Sequence, residues 1–168
     1  MATFEPGLFD KLFHLDRRGL VSSTLRVLSL DDLKNALARD LEALLNTRMA
    51  FTEDMLEAFP KCAKSVLTYG INDFSGLALA SHDDRAHICA SLTRAIERHE
   101  PRLQQVNVTL RMDESARSNT NVLYFGILAK LTLPGISESV SYDAFLQPTI
   151  LQYSVARSRT AGREVAGR

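Results

Sequence analysis

The sequence predicts an α+β fold: helices packed on a small antiparallel sheet formed by the C-terminal half, with a flexible N-terminal segment and a disordered C-terminal tail. Two observations carry this. Before Pro101, apolar residues recur at three- and four-residue spacing, and after it they alternate with polar ones. Helices first and strands last point to a meander packed on helices. A chain of 168 residues suits a single core with loose ends.

The elements follow in order. Phe4 to Leu15 places Phe4, Leu8, Phe9, Leu12 and Phe13 at helical spacing, and Gly19 with Ser22-Ser23-Thr24 then reads as a linker. So short a helix is not stable alone in water, so its apolar face must dock, on its own domain or on a partner. Ser29 to Arg48 is the strongest helix signal. Ser29 is a good N-cap, Asp32 stands where a capping box wants an acid, and Leu30, Leu33, Leu37, Leu41, Leu44 and Leu45 make one stripe. Pro60 interrupts the next region and leaves a short helical piece over 61–67, before Gly70, Asn72, Asp73 and Gly76 mark a loop. Ser81 begins another helix, with Ile88, Leu92, Ala95 and Ile96 on its buried face, and Pro101 ends it.

Strand patterns take over from there. Val106, Val108, Leu110 and Met112 alternate, and 113–121 is a polar loop. Leu123, Phe125, Ile127, Ala129, Leu131 and Leu133 share one face of a long strand, Pro134-Gly135 turns the chain, and Ser139 to Phe145 is a third strand with Val140 and Tyr142 inward. The expected organisation is a docking segment and linker over 1–28, one domain over 29–154, and a basic tail over 155–168.

Composition narrows the function. Formal net charge is zero, which gives no support for nucleic-acid binding, and there is no tryptophan or basic–aromatic platform. Arg157, Arg159, Arg163 and Arg168 against Glu164 concentrate what basic excess exists in the tail. Cys62 and Cys89 are too few for a disulfide framework and read as reduced thiols. No basic region followed by an apolar run stands at the start, and the longest apolar stretch, 122–133, is too short to span a bilayer. A cytoplasmic protein without membrane insertion is expected.

Candidate chemistry is thin. Asp40, Glu42, Asp73 and Glu100 could serve as paired carboxylates, but no motif fixes a separation for them, and solvated acids are the plainer reading. His82, His87, Cys89 and His99 lie close in sequence, yet His87 and Cys89 point different ways on a helix, so no metal site is expected. No nucleophile elbow, P-loop or dinucleotide fingerprint occurs, and no cofactor is expected.

Four segments together resemble one family. They are 40–48 (DLEALLNTR), 65–76 (SVLTYGINDFSG), 96–103 (IERHEPRL) and the strand opening at Val106-Asn107-Val108, with 7–12 (GLFDKL) as the usual N-terminal piece. The chain is similar, over about 7–153, to the TssE-type baseplate wedge subunits of bacterial type VI secretion systems. Those are related in turn to the phage-tail GPW wedge family, historically labelled lysozyme-like. The family's Glu-Pro-Arg signature falls on Glu100, Pro101 and Arg102. This chain carries His99 where an aromatic is frequent, and Asn72 where a proline is common after the Tyr-Gly pair.

The resemblance implies a non-enzymatic structural component of a cytoplasmic baseplate on the inner membrane. Its partners would be the TssF and TssG wedge subunits, sheath proteins of the TssB/TssC type, and TssK. It also implies a small sheet from which sheath assembly begins. Glu100, Pro101 and Arg102 would then be partner-binding residues, with Leu8, Phe9, Leu12 and Phe13 docking on a wedge subunit. A surface ion pair at a helix end is the bland alternative for Glu100 and Arg102. A peptidoglycan-cleaving enzyme and an unrelated cytosolic adaptor are the competing functions.

Overall fold

The computed structural model describes residues 29–51, 54–62, 65–74, 81–111, 122–147 and 149–158. The docking segment with Leu8, Phe9, Leu12 and Phe13, the linker, the loop 113–121 and the chain beyond 158 lie outside the described residues.

Helix α1 runs over Leu30–Asn46 and starts on the expected capping box. Asp32 N–H donates to Ser29 Oγ at 3.1 Å, and Ser29 N–H donates back to Asp32 Oδ2 at 3.3 Å. Leu33, Leu37, Leu41, Leu44 and Leu45 are all buried along one stripe. The helix ends two residues before Arg48, which reaches back to donate to the Leu45 carbonyl at 3.2 Å, one of the acceptors a helix end leaves over. Of the helical piece expected over 61–67, residues 63–64 lie outside the described residues, and the described part carries a short 3₁₀ turn at Val66–Thr68, after an earlier one at Asp54–Leu56. Among the described residues of this connector, Phe51, Met55, Phe59 and Val66 are exposed and make no buried stripe that would drive a longer helix.

Helix α2, His82–His99, is capped by Ser81 Oγ, which accepts from Asp84 N–H at 3.4 Å. It buries Ile88, Leu92, Ala95 and Ile96. Its end is fixed by Pro101, and Glu100 N–H makes the last bond, to Ile96 O at 2.8 Å.

The strands are β1 (Leu103–Arg111), β2 (Leu123–Leu133), β3 (Ile136–Gln147) and β4 (Gln152–Arg157). They form one sheet in the order β1-β2-β3-β4, every neighbour antiparallel. Leu133 faces Ile136 across the two-residue Pro134-Gly135 turn, where Gly135 takes φ 80°. β1 starts three residues before the expected strand. A bulge between Gln104 and Asn107, with Gln105 at φ 53°, hides the alternation there.

β4 corrects the expected organisation. Val155, Ala156 and Arg157, assigned to the tail, belong to the sheet, with Tyr153 and Val155 turned into the core. Two inward residues in a six-residue strand are too short a pattern to read before the partner face is known. The helices share one face of the sheet, α1 against β4 and β3 and α2 against β1. Leu41, Leu45, Ile96, Phe125, Leu131, Tyr142 and Tyr153 are the centre of the core between them. Among the described residues no helix is long and apolar enough to cross a membrane.

Candidate interaction site

The segment from His99 to Leu103 makes the corner where α2 hands over to β1. Pro101 cannot continue the helix, so Glu100 closes it in a non-helical conformation at φ −121°, ψ 81°. That turns the Glu100 carboxylate toward Arg102, two residues on. Glu100 Oε1 accepts from Arg102 Nε at 2.6 Å and from Arg102 main-chain N–H at 3.3 Å, and Oε2 accepts from Nη2 at 2.5 Å. This is the planar fork-to-fork pairing of guanidinium and carboxylate. The same Nη2 donates to Asp40 Oδ2 on α1 at 2.5 Å. One guanidinium therefore holds two carboxylates and ties α1, the end of α2 and the start of β1 together.

Burial decides how this cluster is read. The Glu100 side chain is 8% exposed, Arg102 21% and Asp40 25%. A solvated helix-end pair would look different, so the bland reading of Glu100 and Arg102 is corrected. Their first partner is the fold itself. Burial alone lowers the Arg102 pKa, but the hydrogen bonds and charges of Glu100, then Asp40, outweigh it, and the guanidinium is held more firmly protonated than usual. Pro101 is exposed, and the rims of Arg102 and Asp40 reach the surface beside it.

Tyr69 and His99 line the same corner. The His99 ring stands edge-on to Tyr69, with centroids 5.4 Å apart, and its Nε2 lies 2.7 Å from the Thr68 carbonyl, which fixes that nitrogen as the donor. Burial lowers the His99 pKa, the Thr68 contact partly offsets this, and Arg98 adds to the lowering. Burial raises the Tyr69 hydroxyl, helped by the negative charges of Asp40 and Glu100. Gly70 holds φ 118°, and a Cβ there would stand 2.5 Å from the Thr47 carbonyl oxygen. The close approach lets Ile71 N–H donate to Thr47 O at 2.9 Å and Met49 N–H to Ile71 O at 3.0 Å, joining the connector to the end of α1.

A second feature escaped the sequence reading. Asn46, at the last turn of α1, faces the outer edge of β4, its amide oxygen accepting from Tyr153 N–H and its amide nitrogen donating to Tyr153 O, both at 2.8 Å. Glu42, one turn earlier, accepts from Val155 N–H at 2.8 Å. An Asn and a Glu at four-residue spacing on a helix carry no such signal until the strand is placed. Asp40 was singled out only as one acid among several, because nothing local links it to Arg102.

The other candidate chemistry does not assemble. Asp40 and Glu100 are brought together, but onto one guanidinium rather than across a cleft. The shallow cleft between the connector and α2 is lined by Met49, Gly70, Ile71, Asn72, Ser91, Arg94, Ala95 and Arg98, with no carboxylate. Among the described residues no three His, Cys, Asp or Glu side chains gather as a metal site would require. Cys62 and Cys89 are free thiols.

The family model described as baseplate wedge protein gp25 matches residues 31–133, from the first turn of α1 to the end of β2. No curated protein matches significantly. Three chains of solved structures match. One, from "The baseplate complex from the type VI secretion system", is 13% identical with a TM-score of 0.46, covering 70% of this chain and 96% of that one.

Proposed function

Since the chain belongs to the gp25 family of baseplate wedge proteins, and so to a family of structural baseplate components, we propose that it is the TssE-type wedge subunit of a type VI secretion baseplate. It sits with the TssF and TssG wedge subunits, and with TssK, on the cytoplasmic side of the inner membrane. It anchors TssB/TssC-type sheath subunits where the sheath begins. The observation that carries the reading is the family match across the whole helix–corner–strand unit, Glu100-Pro101-Arg102 included. In support, a sheet edge can template a partner strand through its main chain alone.

Within this role the corner works in two ways. Inside, Arg102 sets the angle between the helices and the sheet. Outside, Pro101 and the exposed rim of the Asp40–Arg102 pair meet a baseplate neighbour. Leu8, Phe9, Leu12 and Phe13 dock on a wedge subunit. Asp40 and Glu100 do not support a carbohydrate-cleaving reading, because such chemistry needs two carboxylates flanking a substrate, and these two face a shared cation.

The test is a pull-down of the tagged full-length chain with the wedge and sheath subunits, alongside fluorescent-sheath imaging in a strain lacking it. Co-purification with TssF/TssG and loss of sheath assembly are expected. Normal sheaths in the deletion strain would overturn the reading, as would muropeptide release by the purified chain.

A further inference from the structure

The shallow cleft between the connector and α2 is rich in donors and short of acceptors. Arg94 and Arg98 stand one helical turn apart on α2, and both line it. Like charges at that spacing weaken a helix slightly, so the pair itself adds nothing to the fold. Attraction to the helix C-terminus accounts for Arg98, in the last turn, but fades before Arg94. Arg98 is already engaged, whereas among the described residues no ion pair or hydrogen bond holds the exposed Arg94 side chain.

Ser91 lines the same cleft, three residues before Arg94, and is only 6% exposed. Its neighbour Thr93 returns its hydroxyl to the Cys89 carbonyl at 2.9 Å, as hydroxyls inside helices often do. The Ser91 hydroxyl makes no such bond among the described residues. A buried hydroxyl without a partner is uncommon. Its oxygen is not sealed from solvent, and the space that Ser91 lines is the cleft. Asn72, half-buried on the connector side, likewise has a side-chain amide without a partner among the described residues.

The unmet capacity is that of a guanidinium, an amide and a hydroxyl. A carboxylate only accepts, and its plane matches the guanidinium fork. Phosphate sites ordinarily draw on free main-chain N–H groups. Here the nearby ones are spent: Ile71 N–H donates to Thr47 O at 2.9 Å and Met49 N–H to Ile71 O at 3.0 Å. Ile71 and Ala95, both buried, add an apolar lining that suits the methylenes of an acidic side chain.

We infer that this cleft receives the carboxylate of an aspartate or glutamate on a neighbouring baseplate subunit. Arg94 is its ion-pair partner, and Ser91 and Asn72 donate hydrogen bonds to it. The inference rests on the proposed baseplate role, which supplies the partner.

Two measurements on the full-length chain test this. The first is capture of purified TssF/TssG wedge subunits, with thermal midpoints alongside. Arg94→Glu keeps the parent midpoint, because the side chain is exposed, and lowers capture at least about tenfold. Ser91→Ala lowers capture about threefold at an unchanged midpoint, and Arg94→Lys keeps most of it. The second is carbodiimide coupling of the assembled Arg94→Lys complex, which joins the new amine to a carboxylate in direct contact. Mass spectrometry is expected to find position 94 joined to an aspartate or glutamate of a wedge subunit. Undiminished capture by Arg94→Glu overturns the site and leaves the baseplate role standing. A loss in Arg94→Glu that Ser91→Ala does not share, with no cross-link, is long-range charge attraction and overturns the insertion. A cross-link to a carboxylate of this chain overturns the partner. Saturable binding of inorganic phosphate at Ser91 and Asn72, with no cross-link, overturns the occupant in favour of phosphate. A parent chain that captures no wedge subunit overturns the named partner and the wedge part of the proposed function together.

Discussion

Arg102 and Asp40, 62 residues apart in the chain, meet through a 2.5 Å hydrogen bond between Nη2 and Oδ2, and that same nitrogen also holds Glu100. The arrangement gives the Glu100-Pro101-Arg102 run a physical reason. Proline ends the helix and forces the turn. The carboxylate before it and the guanidinium after it lock that turn, and the third partner on α1 ties the corner to the rest of the core.

Removing members of this cluster should cost stability in a definite order. Arg102→Ala leaves the buried Glu100 carboxylate unpaired and should destabilise by about 3 kcal/mol. Asp40→Ala leaves the Arg102–Glu100 fork intact, at a quarter-exposed position, and should cost only about 1 kcal/mol. Denaturant unfolding of the two variants checks the ranking. An Arg102→Ala loss no larger than that of Asp40→Ala would refute it.

Asn46→Ala removes both hydrogen bonds to Tyr153 and should cost about 1–2 kcal/mol. It also bares the outer edge of β4, so the variant should self-associate as concentration rises, where the parent does not. Sedimentation at several concentrations, with thermal midpoints alongside, measures both effects.

Gly70→Ala should be among the more damaging single changes to the connector. It sets a side chain at φ 118° and drives a Cβ against the Thr47 carbonyl. A loss of about 2–3 kcal/mol is expected from strain and the broken Thr47–Ile71 contact. Thermal unfolding reads it, and a shift as small as that of an ordinary surface change would sink the account.

Stability should depend on pH at both ends. The folded protein holds fewer protons on His99 than the unfolded chain, because burial lowers its pKa from 6.5. Stability from His99 is thus present above that value and lost as pH falls below it, and His99→Gln should flatten this slope. Burial pushes the Tyr142 and Tyr153 hydroxyls up to about 12. Their contribution is complete below the ordinary value of 10 and is lost as pH rises toward 12. Urea midpoints across the range, with tyrosinate absorbance at the alkaline end, test both signs.

Deleting residues 1–20 separates docking from folding. The amphipathic piece carrying Leu8, Phe9, Leu12 and Phe13 is proposed to serve a wedge partner, so the thermal midpoint should barely move while TssF/TssG co-purification weakens. A large fall in midpoint with binding intact would assign the segment to the core instead.

The sequence by itself determined the elements whose signals are local. Ser29 with Asp32 and the leucine stripe set α1, Pro101 set the end of α2, and the alternation from Leu123 to Leu133 set the central strand and its inward face. These are periodicities and caps, which need only neighbours within a few residues. The Glu100-Pro101-Arg102 signature was legible too, but not its burial. Only the tertiary structure decided that Arg102 faces Asp40, that Asn46 and Glu42 close β4, and that the chain after Tyr153 completes a fourth strand. The Asp40, Asn46 and Glu42 contacts join residues 62 to 113 positions apart, and a short polar side chain carries no mark of which distant main-chain group it will meet. That choice is made when α1 settles on the face of the sheet and brings its polar flank against the edge of β4.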